Sequence, residues 1–326
     1  MSTLEFRVAI RDAIAEELER DPNVIFLGED VGVAGGVFKA TPGLTERFGP
    51  DRVVDTPISE LALASAAFGA AATGLRPIIE IMFGDFMALP MDALVNQAAK
   101  YWYITNEQAS IPLVVRSAVG GGGRFGAVHS QTHGTWFQGI PGLKIAMPSS
   151  SVEAKGLLKG AIRDPNPVIF LEHKRLYSVK DEAPETIEAI PLGQARVARE
   201  GDDLTIVSIG KSVRDALAAA EQLAADGVDA EVIDLRTLRP LDLATVVESV
   251  GRTNRLLAVE EGPRTGGWAT GVLGAVAEAA LHDLDDAWII ATDETPIPYS
   301  PTLEDAFMPN ADGIVAEVRG RLGAAV

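Results

Sequence analysis

The chain has 326 residues, of which 47% are hydrophobic and 23% charged, enough for two globular domains with ample core. A net charge of −18 and a pI of about 4.6 set its surface against phosphate backbones and acidic membranes, so neither nucleic acid nor a membrane is expected as a partner. Cysteine is absent, which excludes disulfides, thiol nucleophiles and iron–sulfur clusters and fits a reducing cytoplasm.

The N-terminus lacks the basic start, apolar block and cleavage site of a signal peptide. Phe6, Ile10, Ile14 and Leu18 recur at spacing four, which predicts an amphipathic helix. Apolar runs predict buried strands at 23–30, 76–83, 111–119, 144–148 and 167–172, with helical patterns at 59–73, 89–103 and 151–163. The run at 61–75 is too short, and too rich in small residues, to span a membrane. Its alanines and glycines let backbones approach closely, so this helix is expected to pack on another helix, from this chain or a second one.

A polar, proline-containing stretch at 177–203 reads as a linker. Beyond it strands are expected at 204–210, 229–236, 255–261 and 287–292, alternating with helices at 212–226, 241–250 and 267–282. The expectation is an α/β chain of two domains, 1–190 and 191–326, with mainly parallel sheets.

Three motifs bear on chemistry. In "GGGGRFG", Gly121, Gly123 and Gly126 have dinucleotide-site spacing after a strand, but "AVHSQTHG" follows where a helix should open. That leaves a mobile loop or, the favoured reading, one shaped around a bound molecule. His129 and His133 stand four apart without the glutamate of a zinc-protease motif; His129, in a polar glycine-flanked loop, suits acid–base work. In "DTPISE", Thr56 can cap a helix with Pro57 at its first position, and Glu60 then sits in the dipole-favoured first turn. Position alone makes Glu60 structural.

Taken together, "FLGEDVG", "RVVDTPISE", "MFGDFMALPMDALVNQAAKYWY", "HSQ", "GIPGLKIAMPSS", "AIRDPNPVIFLEHKRLY" and "VIDLRTLRPLD" stand in an order that resembles the beta subunits of the decarboxylating component of 2-oxo acid dehydrogenase complexes. These include the pyruvate, branched-chain and acetoin enzymes. The likeness runs from about residue 4 to about 320. It implies a thiamine-diphosphate pyrimidine-binding fold followed by a transketolase C-terminal-like domain.

It further implies a heterotetramer of two alpha and two beta chains, with thiamine diphosphate shared at each alpha–beta interface. Magnesium and the diphosphate belong to alpha; its G-D-G motif has no counterpart in "GDF" or "GDD" here, so this chain is expected to be inactive alone. By the resemblance, Glu60 hydrogen-bonds the aminopyrimidine ring, while Met82 and Phe86 contact the cofactor. His129 serves transfer of the acyl group to the lipoyl arm of the acyltransferase. A potassium site would use the carbonyls of Leu113, Ala161, Ile162, Asp164 and Asn166, although a metal-free loop explains those residues equally well. Met82, Phe86 and "EHKRLY" favour a pyruvate-type or acetoin-type member over a branched-chain one. A ketolase acting on a sugar phosphate and a non-catalytic assembly subunit are the other readings.

Overall fold

Six strands of the first half, with one added from the second, assemble into a seven-stranded sheet in the computed structural model, which describes residues 2–323. The chain opens with β1 (Ser2–Glu5), α1 (Phe6–Arg20), β2 (Val24–Gly28), α2 (Leu44–Phe48) and β3 (Val53–Asp55). Next come α3 (Glu60–Ala72), β4 (Arg76–Ile81), a 3-10 turn (Gly84–Ala88) and a π-helical segment (Asp92–Ala98) that runs into α4 (Ala99–Ile104). β5 (Val114–Val119), α5 (Gly134–Gln138), β6 (Lys144–Ala146), α6 (Ser151–Arg163) and β7 (Val168–His173) complete this half. Its strands lie in the order β6-β7-β5-β4-β2-β3, all parallel, with helices on both faces. Double-sided burial is why they read as unbroken apolar runs rather than alternating ones.

On one face α1 packs against α6, and Phe6, Ile10, Ile14 and Leu18 are all buried there. The Ser150 hydroxyl caps α6 by accepting from the Glu153 amide. On the other face, α3 buries Leu63, Ala64, Ala67 and Ala71 against β4 and the π-helical segment. Its small outward residues Ala62, Ser65, Ala66 and Gly69 are exposed within this chain.

The remaining strands are β8 (Lys180–Ala183), β9 (Arg196–Arg199), β10 (Leu204–Ser208), β11 (Ala230–Asp234), β12 (Thr237–Arg239), β13 (Arg255–Pro263) and β14 (Asp286–Thr292). Between and beyond them lie α7 (Lys211–Ala225), α8 (Leu243–Thr253), α9 (Trp268–Ala280), α10 (Pro301–Phe307) and α11 (Ala311–Leu322). A second sheet has the order β14-β13-β10-β11-β9, parallel except for β9.

Two expectations change here. The stretch 177–203 is not a plain linker: β8 pairs antiparallel with β1, β9 pairs with β11, and residues 184–195 are its longest run without strand or helix. Even that segment is strapped to α6, where the Ile190 amide donates to the Gly156 carbonyl. Its polar strands draw stability from backbone pairing, which composition does not reveal. The expected strand 229–236 also ends early, at Asp234. The chain turns at Arg236 (φ 57) and β12 adds antiparallel to β6, so the second half supplies an edge strand to the first sheet. One apolar core runs across this junction, through Phe137, Ile145, Leu238, Val246 and Ala269.

Arg116 is buried in the middle of the first sheet, where it pairs with Glu172 through two hydrogen bonds (2.7 and 2.8 Å) and with Glu80 (2.7 Å). The Tyr177 hydroxyl donates to Glu172 as well. Removing the cation would leave two carboxylates facing each other away from water. Arg116→Met is therefore expected to cost about 3–5 kcal/mol in a denaturant melt. An unchanged midpoint would show that the carboxylates tolerate burial without it.

Candidate active site

Parallel strands end together, so the residues that follow β2, β3, β4, β5 and β7 meet along one edge of the sheet. Open α/β sheets bind their ligands at this carboxyl edge. Glu29 follows β2, Glu60 follows β3, Met82 and Phe86 follow β4, the glycine loop and His129 follow β5, and Lys174 follows β7.

The first two loops are tied to each other. The Gly32 amide donates to Asp55 (2.7 Å), and a Cβ at Gly32 would lie 2.4 Å from the Asp55 carboxylate, so only glycine fits. Thr56 does not cap a helix. Its amide donates to the Gly28 carbonyl and its buried hydroxyl has no partner among the described residues. The chain stays bound to the sheet through Thr56, and α3 begins at Glu60, with Ser59 in the capping position. Glu60 is half-buried, flanked by exposed Ile58 and Leu61. Burial, then the neighbouring Glu60 charge, pushes the Glu29 carboxyl above its ordinary range.

β4 ends at Ile81, so Met82 lies just past it and Phe86 sits in the 3-10 turn instead of the same strand. Both are half-buried. The Phe86 ring meets the His129 imidazole at 5.3 Å between centres, and Phe83 meets it at 4.7 Å, each near 81°. Gln131 donates to Asp85 (2.8 Å), and Ser130 is buried with its hydroxyl unpartnered among the described residues. Burial would raise the Asp85 carboxyl, but His133 and Gln131 hold it below its usual value. His133 stacks on Trp136 at 3.7 Å; it does not pair with His129. Among the described residues no group of three histidine or acidic side chains could hold a metal.

The glycine loop wraps around two protein carboxylates. Gly121 donates its amide to Glu261 (2.8 Å), Gly122 to Glu304 (2.9 Å) and Arg124 to Glu304 (3.1 Å). Backbone amides turned to one side make an anion nest, and here the second half of the chain fills it. Gly120 has φ +95, and a Cβ there would overlap the His173 ring at 2.1 Å. His173 accepts from the Arg175 amide at Nδ1, so its Nε2 donates to Glu261 (2.9 Å). Burial alone would raise the Glu261 carboxyl; His173 and the Gly121 amide bring it down to about 2.

Lys174, Glu261 and Glu304 carry no sequence signal of their own. Lys174 lies inside "EHKRLY", and only the fold shows its contact. Its buried ammonium donates to the His129 carbonyl (2.8 Å), and burial lowers its pKa to about 8 against the opposing charges of Asp85, Glu261 and Glu304.

A cleft of about 650 Å³ opens between the halves, walled by Gln131, Thr132, Trp136, Glu261 and Ile297. Glu60, Met82, Phe86 and His129 do not line it, and all four are half-buried. The potassium candidates lie at the opposite edge, where β5 and β7 begin. There the Ile162 and Asp164 carbonyls accept from the Arg76 guanidinium (2.7 and 2.9 Å), Leu113 accepts from Val168 and Ala161 from Asp164. Asn166 donates its amide to the Asp164 carboxylate. The Ile162 carbonyl accepts from two nitrogens of Arg76 (3.0 and 2.7 Å), so the guanidinium already supplies positive charge to this cluster; the remaining carbonyls are of the donor type that a large cation takes.

Comparison with known proteins decides the family. The transketolase pyrimidine-binding domain matches residues 2–180, and the transketolase C-terminal domain matches residues 193–314. The chain is 45% identical to the 2-oxoisovalerate dehydrogenase subunit beta of Bacillus subtilis, over 98% of each. It is 47% identical to the acetoin:2,6-dichlorophenolindophenol oxidoreductase subunit beta of Cupriavidus necator, over 97% of this chain and 96% of that one. It is also 45% identical to the pyruvate dehydrogenase E1 component subunit beta of Rhizobium meliloti, over 98% of this chain and 70% of that one.

The chain belongs to the beta subunits of the 2-oxo acid dehydrogenase decarboxylating components.

It is thus a subunit of an acyl-transferring oxidoreductase that has an alpha partner, in a family that depends on thiamine diphosphate. The fold agrees with a solved structure, a split-gene transketolase in an inactive beta tetramer, at a TM-score of 0.81 and 22% identity over 98% of this chain. No helix among the described residues is long and apolar enough to cross a membrane. The beta subunit's residues suit the pyrimidine end of the cofactor: that ring needs a carboxylate for one nitrogen and an apolar wall. Glu60 and Phe86 offer both from the same sheet edge, half-buried where a second chain can complete the enclosure.

Proposed function

We propose that this beta subunit, with its alpha partner, decarboxylates a pyruvate-type 2-oxo acid and passes the acyl group to the lipoyl arm of an acyltransferase. The observation that carries the reading is that Glu60, Phe86 and His129 all follow the carboxyl ends of strands of one sheet, with the Phe86 ring against the imidazole. Thiamine diphosphate, when bound, supplies the electron sink on which a 2-oxo acid loses carbon dioxide.

The chain's own residues then have distinct tasks. Glu60 would hold the pyrimidine end through its carboxylate, which can accept a proton there, in a site that a second chain would dry and so strengthen. Met82 and Phe86 hold the ring's apolar face. His129 delivers a proton to the dithiolane sulfur as it opens. Magnesium belongs to the alpha chain in a tetramer of two alpha and two beta chains. Potassium, at the carbonyls of Leu113, Ala161, Ile162, Asp164 and Asn166, would buttress the opposite edge and take no part in the chemistry.

The substrate is the finest part of the proposal. Relatives named for 2-oxoisovalerate, acetoin and pyruvate are nearly equally similar, so the preference against a branched-chain acid rests on Met82, Phe86 and "EHKRLY", which leave acetoin as the alternative to pyruvate. Co-expression with the alpha chain tests it. Turnover across pyruvate, branched-chain 2-oxo acids and acetoin should give the highest kcat/KM for pyruvate. A branched-chain acid or acetoin in first place would overturn the substrate assignment. Failure to bind the cofactor on mixing with alpha would make this a non-catalytic assembly subunit instead.

A further inference from the structure

We propose that Lys174 is a positioning residue for His129, pinning the backbone of the "HSQ" loop so that the imidazole stays beside Phe83 and Phe86. This rests on the acyl-transfer reading of His129.

The loop needs an external restraint. Residues 120–126 include five glycines, and Gly120, Gly122, Arg124 and Gly126 all have positive φ, so the segment has little stiffness of its own. Three consecutive residues at the end of β7 hold it. His173 binds Glu261, which in turn accepts from Gly121 and Thr132. The Arg175 guanidinium donates to the Gly122 carbonyl (3.0 Å). Lys174 alone acts on His129 itself, through the 2.8 Å bond to its carbonyl.

The lysine and the histidine also share a neighbour. The Lys174 ammonium lies 5.6 Å from the centre of the Phe83 ring and 5.8 Å from that of Phe125, while the imidazole packs on Phe83 at 4.7 Å. Moving the ammonium would therefore disturb both the backbone and the ring that orient His129. The charged groups around Lys174 each have other partners, although its charge also helps hold the Asp85 carboxyl down. Asp85 is held by Gln131 and His133, Glu261 by His173 and Gly121, and Glu304 by Arg124 and two amides.

Lys174→Met, assayed in the complex with the alpha chain, is the test. Methionine keeps the unbranched stem and removes a buried charge without stranding a carboxylate, so the variant should fold. Lipoyl acylation should fall about 10- to 100-fold, as for loss of a group that orients a reacting side chain, while decarboxylation to an artificial acceptor holds. Added to His129→Ala, the substitution should cause no further loss in acylation. Diethyl pyrocarbonate labelling of His129, read by mass spectrometry, should speed up in Lys174→Met. Equal losses in both assays, an additive double variant or unchanged labelling would each overturn the proposal. If labelling speeds up but His129→Ala itself spares acylation, the pin stands and the acyl-transfer reading fails.

Discussion

Glu60→Gln is expected to lose decarboxylation by a hundredfold or more while the alpha–beta assembly survives. A carboxylate that shares a proton with the pyrimidine does acid–base work, which typically contributes about 10²- to 10⁴-fold. Glutamine keeps the shape and one acceptor oxygen but cannot take up the proton. The structural cost is small because two effects oppose each other. A negative charge at the first position of α3 favours the helix dipole, so its loss destabilises slightly. The same charge raises the Glu29 carboxyl, a repulsion that glutamine removes. A raised carboxyl favours the folded state at low pH and loses that advantage as pH rises through its folded value. Relief of the repulsion therefore helps at neutral pH. Gel filtration with the alpha chain should show the parent assembly, and turnover with an artificial acceptor should show the loss. Near-normal turnover would return Glu60 to the role that its position alone suggests, a first-turn charge on a helix.

That ambiguity shows what was legible and what was not. The parallel strands were readable because burial on both faces writes continuous apolar runs such as "VIFLG" and "VIFLEH". The short β3, by contrast, left no run to read, and neither did the polar β8. Thr56 misled because threonine before proline is a common helix start. The sheet's hold on the Thr56 amide postpones the helix to Glu60, and a local pattern does not carry that contact. The glycine run stands out in the sequence, but the groups that hold it in shape do not. Its partners, Glu261 and Glu304, lie 140 and 182 residues away in the chain. The Lys174 contact with His129 spans 45 residues. Of the candidate site, the motif residues were visible, whereas the groups that hold them in place were fixed by topology.

His129→Ala is expected to separate the two half-reactions. Acylation of the lipoyl group should fall about 10²- to 10⁴-fold, the range for a positioned acid, while decarboxylation to an artificial acceptor stays near the parent rate. The division follows from where the residues sit. Glu60 acts from the start of α3, beyond β3, two strands along the sheet from β4. His129 comes from the loop beyond β5, with its ring against Phe83 and Phe86. Removing the imidazole leaves the loop's other anchors in place: Gln131 on Asp85, the Gly121 amide on Glu261 and Lys174 on the residue-129 carbonyl, which alanine retains. The ring is half-buried, so the fold loses only part of one aromatic contact. A dithiolane sulfur leaving as a thiolate needs a proton, whereas an artificial acceptor that takes electrons alone does not. The loss should therefore appear only when the lipoyl arm is the acceptor. Equal losses in the two assays would place His129 in the first half-reaction beside Glu60.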